Sequence, residues 1–187
     1  MRRGLRAAAA VVIAAAAAWL VVHVCYYPWI CNNEKATAHR TLERLYAHSD
    51  EVTARIAARR VIETMDRCIA TNPADVGQSM IRGAALRMLG RPGEAADEYR
   101  RALRYDRRPE LYLNLGLSHL ESGNEDAAVN QLVLASLTFR PYLFDLTGSV
   151  HDRVAAVVDP LLAEIEAKRV KPERLRDLSH SLASSSR

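Results

Sequence analysis

The feature that most restricts this chain is a self-similarity at a spacing of 33 residues. Gly83 recurs as Gly116, Gly90 as Gly123, Ala95 as Ala128, the large apolar Tyr99 as Leu132, and Ala102 as Ala135. A period of this length belongs to a supersecondary unit that buries its apolar face on its neighbours. Gly83 and Gly116 fall inside helical patterns, where Gly costs ~1 kcal/mol relative to Ala. A residue without a side chain there lets another helix approach closely. Gly90 and Gly123 lie between two helical stretches and suit a tight turn with φ > 0. Ala95 and Ala128 open the second helix where it crosses the first, and Tyr99, Ala102, Leu132 and Ala135 continue its inward stripe. The fold class is therefore all-α.

At these residues the chain resembles the tetratricopeptide (TPR) repeat family. The resemblance implies a solenoid of helical hairpins, two antiparallel helices per ~34 residues, with the first helix of each pair on the concave face. Residues 76–108 and 109–142 carry it. Pro109 opens a helix, and Pro141 falls at the repeat end, as the family prefers. Ser79 and Tyr112 stand where the family has Trp, and Arg107 where it has a terminal Pro. A degenerate repeat is expected over residues 42–75. Its first helix, Leu42–Ala54, carries Leu45 and Val52, with Ser49 in place of the usual Gly. Its second helix carries Val61, Met65 and Cys68 before Pro73. Together the repeats span residues 42–142.

Beyond Pro141 the pattern changes. Ser149 to Asp152 resembles a capping box, and Asp159-Pro160 reads as an N-cap followed by a first-turn proline. Two short helices, 149–158 and 160–170, are expected within residues 143–170, where they would cap the open end of the solenoid. Residues 171–187 are basic, polar and expected to be partly disordered.

The amino-terminal end constrains location. Residues 1–6 hold Arg2, Arg3 and Arg6, and from Ala7 to Asn33 there is no Lys, Arg, Asp or Glu. Residues 7–27 supply the ~20 apolar positions a membrane span needs, and Tyr26, Tyr27 and Trp29 cluster at the far end, where such rings prefer the headgroup level. Pro28 is expected to stop the helix and residues 28–41 to form a linker. A cleaved signal peptide, a lipoprotein signal at Cys25 and a buried soluble helix are the competing readings. The apolar run continues well past the small residues Ala14–Ala18, which favours an uncleaved anchor. The positive-inside rule places residues 1–6 in the cytoplasm and the rest across the membrane, in a bacterial periplasm or outside the cell.

Charge and chemistry narrow the function. The net charge of +4 resides at the two ends, because residues 7–167 carry 17 basic against 20 acidic groups. A nucleic-acid-binding domain would carry its basic stripe on the folded body, so no nucleic-acid partner is expected. The three cysteines are Cys25, Cys31 and Cys68. Cys25 and Cys31 either pair across a short loop on an oxidising side or remain two thiols, and Cys68 reads as a small core residue. No cysteine pair has zinc-ligand spacing with a nearby His, and no catalytic motif occurs, so no metal, cofactor, small-molecule substrate or catalytic residue is expected. His119 reads as a packed histidine.

What remains is an interaction surface. On the repeat register the concave strip carries Met80, Ala84, Arg87 and Met88, then Leu113, Asn114, Leu117, Leu120 and Glu121. Asn114 matches one residue of the family's clamp for a C-terminal carboxylate, but Leu113 and Leu117 replace polar ones. The resemblance thus implies an anchored adaptor whose groove takes an amphipathic helix or an extended apolar peptide of a protein partner. The alternative is a non-catalytic structural subunit of a cell-envelope assembly, with the strip filled by the chain's own C-terminal helices.

Overall fold

The computed structural model describes residues 2–48, 50–167 and Asp177, and among them every regular element is a helix. The tail expected over residues 171–187 lies outside the described residues, Asp177 apart.

The chain begins as a rod. Helix α1 (Arg2–Val21) passes through a π-helical turn (Val22–Tyr26) directly into α2 (Tyr27–His48). Pro28 does not end the helix, and residues 28–41 are not a linker but part of α2. The turn supplies the reason. Proline lacks an N–H, and its ring clashes with the carbonyl four residues back. In the wider turn the Tyr27 N–H reaches the Val22 carbonyl, five residues back, so the helix is already off its α register when Pro28 arrives. Cys31, Lys35, Ala38, Leu42 and Leu45 then fall on one face of α2. Cys31, Ala38 and Leu42 are buried, Leu45 packs against the same core, and Lys35 Nζ lies 2.9 Å from Asp75 Oδ2.

Helix α3 (Glu51–Thr71) starts earlier than the repeat register predicts. Asp50 caps it, accepting from the Thr53 N–H at 2.9 Å, so residues 42–54 span the end of one helix and the start of the next. That bond holds the Asp50 carboxyl below its ordinary range. The first hairpin is consequently longer than 42–75. Its inner stripe still includes Val61, Met65 and Cys68, all buried, along with Ala58, Ile62 and Ile69.

The next two hairpins share one design. Helices α4 (Val76–Met88) and α5 (Pro92–Ala102) are joined by a turn in which Gly90 has φ 69°. Helices α6 (Pro109–Glu121) and α7 (Glu125–Thr138) are joined through Gly123 with φ 76°. Pro92 and Pro109 sit at helix starts, where no N–H is needed. The eight packing positions Gly83, Ala95, Tyr99, Ala102, Gly116, Ala128, Leu132 and Ala135 are all buried. A Cβ placed on Gly83 would lie 2.5 Å from Tyr99 Cζ, and one on Gly116 would lie 2.7 Å from Leu132 Cγ. The same close approach therefore occurs twice, one period apart.

Helices α2 to α7 pack chiefly on their neighbours in sequence, with α4 also reaching α2 and α6, whereas the C-terminal helix, Gly148–Glu166, packs chiefly on α7. Glu98, buried on α5, receives Arg82 of α4 at 2.9 Å and Arg101 at 2.6 Å, and Arg82 also reaches Asp66 of α3 at 2.5 Å. Three helices are thus tied by one ionic cluster whose central carboxylate is fully paired, as its burial requires.

A short helix, α8 (Pro141–Phe144), leads into α9 (Gly148–Glu166). This is one helix with Pro160 inside it, not two helices divided at Asp159, and residues 168–170 lie outside the described residues. Asp159 faces Arg140 at 3.4 Å rather than capping a new helix. The N-cap is Thr147 with no side-chain cap bond, and Ser149 instead donates its hydroxyl to Glu125 of α7 at 3.3 Å. Val154, Val158 and Leu161, spaced four and three apart, form the buried face of α9, and Val154 and Val158 pack in a core that includes Ala128, Val129, Leu132 and Val133 of α7. Arg153 reinforces the contact, reaching Asp126 at 2.6 Å and Glu125 at 3.3 Å.

The glycine contacts give a direct prediction. Gly83→Leu or Gly116→Leu should lower the stability of the full-length chain by ~1–3 kcal/mol through overpacking. Gly93, whose Cβ would meet nothing within 4 Å, serves as control. Gly93→Ala should leave the melting temperature unchanged or raise it slightly, as read by circular dichroism in detergent.

Candidate functional site

The predicted strip lies on α4 and α6, and its residues do not share one environment. Met80, Ala84 and Met88 are half-buried and pack against the first core, to which α2 contributes Leu42 and Leu45. Leu113 and Leu120 are half-buried against the second core, which α7 and α9 complete. Leu117 is half-buried between them in sequence, and Glu121 is exposed.

The polar members are bound to one another. Arg87 Nε lies 3.0 Å from Glu121 Oε2 and its Nη2 lies 2.5 Å from Oε1, a two-pronged pair across the two helices. Arg87 Nη1 also donates to Asn114 Oδ1 at 3.2 Å, and Asn114 Nδ2 donates to the Glu110 carbonyl at 2.8 Å. Burial works against the guanidinium charge, but the Glu121 carboxylate outweighs it and holds Arg87 above its ordinary value. A ligand carboxylate at Arg87 would have to displace Glu121. The pairing was absent from the sequence reading, although a signal existed: Arg87 and Glu121 are 34 residues apart, close to the repeat period, so adjacent first helices bring them together.

The C-terminal helix does not supply the main cover of the α4 half. Helix α9 packs on α7 and α8, whereas α2 packs on α4. His119, on the buried side of α6, has no hydrogen-bond partner for Nε2 among the described residues. Burial first, and the Arg100 charge second, hold its pKa below the ordinary value, so the folded state favours neutral imidazole.

Of the two alternatives for Cys25 and Cys31, the structure has two unpaired thiols. Cys25 is exposed in the π turn, while Cys31 is buried on α2. Both lie on one rod, six residues apart, so no loop exists to bring them together. The thiol group near Cys31 is Cys68 of α3, and the Cys68 thiol donates to Glu34 Oε2 at 3.3 Å. Burial, with Cys31 and Glu34 beside it, pushes the Cys68 thiol well above its usual range. These side chains come from two helices, which is why no short spacing motif announced them. Beside Glu34 a cleft of about 440 Å³ opens between α2 and α3, lined by Thr37, Thr41, Arg60, Val61 and Thr64 among others.

No protein-family model, curated protein or solved structure matches this chain.

The His119 environment predicts a pH effect. Its folded pKa is depressed, so the stability tied to the neutral ring is present above the unfolded value of 6.5 and is lost progressively as pH falls below it, through the lower folded value. The melting temperature of the full-length chain should drop between pH 7.5 and 5.5, and His119→Gln should reduce that drop.

Proposed function

We propose that this chain is a membrane-anchored adaptor of the TPR type, which holds a protein partner against the strip on α4 and α6. The observation that carries the reading is the rod of α1, the π turn and α2. It contains a stretch long and apolar enough to cross a membrane, with no residue of the apolar window buried. The same rod then buries Cys31, Ala38 and Leu42 in the folded body. The repeated Gly83–Tyr99 and Gly116–Leu132 contacts support the TPR resemblance. Arg2, Arg3 and Arg6 orient the amino terminus to the cytoplasm and the helical body to the periplasm or cell exterior. In this reading the partner lays an amphipathic helix or an extended apolar peptide along Met80, Ala84, Met88, Leu113, Leu117 and Leu120. Arg87, Asn114 and Glu121 set its polar register. Catalysis, a bound cofactor and nucleic acid have no part in it.

A second reading is favoured by one observation. Arg87, Asn114 and Glu121 already satisfy one another, and Met80 and Met88 already pack on the core. A strip so committed suits a structural subunit embedded in a larger envelope assembly.

Two experiments test these readings. Carbonate washing should leave the full-length chain in the membrane pellet, with residues beyond 34 open to protease only from the trans side. Release by carbonate, or a mature amino terminus near residue 19, would overturn the anchor. For the strip, Met88→Glu and Leu117→Glu should abolish crosslinking of the native partner from a photoreactive residue at position 113 while leaving the melting temperature unchanged. A large fall in melting temperature would instead favour the structural-subunit reading.

A further inference from the structure

We propose that Cys31, Glu34 and Cys68 form a binding site for a thiophilic divalent cation of the zinc type, which clamps α2 to α3. The inference stands on the cluster itself and does not depend on the groove. The potential ligand atoms of the three residues all lie within 4.8 Å of one another. Cys31 and Glu34 are three apart on α2 and therefore share one helical face. Cys68 approaches from the inward stripe of α3 with its side chain fully buried, and Cys31 is only 6% exposed.

The distances suit the ion. With zinc–sulfur bonds of ~2.3 Å and zinc–oxygen bonds of ~2.1 Å, neighbouring ligand atoms of a tetrahedron stand ~3.6–3.8 Å apart. The Cys68 sulfur and Glu34 Oε2 are 3.3 Å apart and need only a small separation to admit it. The donor set also selects the class of ion. Two thiols with one carboxylate suit a borderline-soft cation and disfavour magnesium or calcium, which take oxygen ligands.

Charge supplies the thermodynamic reason. Two thiolates and a carboxylate would place three negative charges at a largely buried point. The Arg67 guanidinium stands 4.0 Å from Glu34 and its side chain is 72% exposed, so it offsets little of that charge. Without a cation the Cys68 thiol keeps its proton and donates it to Glu34, as observed. Binding replaces two thiol protons with one divalent ion, releases both protons to solvent, and leaves a net charge of −1 on the three-ligand complex. Three protein ligands leave a fourth position. The cleft lined by Glu34, Asn33 and Thr64 offers a route for solvent to fill it.

The test uses the reduced, metal-free full-length chain in detergent, titrated with Co²⁺ and then with Zn²⁺. One equivalent of Co²⁺ should give thiolate-to-cobalt charge-transfer absorption in the near ultraviolet, Zn²⁺ should displace it, and Zn²⁺ should raise the melting temperature. Cys31→Ser and Cys68→Ser should each weaken binding at least ~100-fold, because a thiolate ligand is lost. Glu34→Gln should weaken it while retaining the absorption band. Cys25→Ser should leave binding unchanged. Circular dichroism checks that each variant folds, and Cys31→Ala serves as the second variant should Cys68→Ser fail to do so. Absence of stoichiometric binding, binding retained in both Cys31 variants, or a Cys31–Cys68 disulfide as the form isolated from membranes would overturn the proposal.

Discussion

The helical body depends on a close approach that only glycine permits. Where Tyr99 seats on Gly83, α5 crosses α4 with no side chain between ring and backbone, and Leu132 on Gly116 does the same for α7 and α6. Glycine inside a helix is unfavourable by ~1 kcal/mol, so its presence at both positions is offset by the burial gained from a large side chain in the space it leaves. The crossing fixes how far apart each pair of helices stands. The inward stripes of α5 and α7 can then reach the helices on either side, and the remaining apolar residues fill what is left.

Much of this was legible because it repeats. A single glycine in a helical stretch is ambiguous, but two glycines one period apart, each followed sixteen residues later by a large apolar residue, define a contact. The turn glycines were legible for the same reason, and their positive φ values follow from their places between helices. Where the chain departs from repetition, local rules misled. Pro28 reads as a helix stop because the rule assumes α-helical spacing, whereas in the π turn the bond just before the proline, Tyr27 N–H to the Val22 carbonyl, already runs five residues back. Asp159-Pro160 reads as an N-cap followed by a first-turn proline, yet α9 runs unbroken through Pro160, with Val154 and Val158 packed on the α7 core. Residues 42–54 read as one repeat helix, with Ser49 outside the described residues, but they are divided between α2 and α3. The Asp50 cap, which has the sequence signature of a helix start, marked the true division.

The candidate site was legible by position but not by chemistry. Register identifies which residues of α4 and α6 share a face, since period alone decides that. It does not reveal that Arg87 spends its hydrogen bonds on Glu121 and Asn114, because that depends on how closely the two helices stand. Cys31, Glu34 and Cys68 pose the same difficulty more sharply. They belong to the least regular hairpin, and their proximity follows from the length of α2, the element that sequence rules divided into anchor, linker and repeat.

That unbroken rod has a consequence for how the protein would search for a partner. On the proposed membrane reading, Cys31 is already inside the folded body only four residues beyond Tyr27, ~6 Å of helical rise from the bilayer edge. A body held on a flexible tether samples a hemisphere and meets soluble partners from any direction. A body grown from a rigid shaft turns about the shaft axis and drifts in the plane, keeping the same side toward the headgroups. Its encounters become two-dimensional: a partner confined to the same sheet of membrane is met at an effective concentration set by lateral density, and one whose docking segment stands at another height is not met at all.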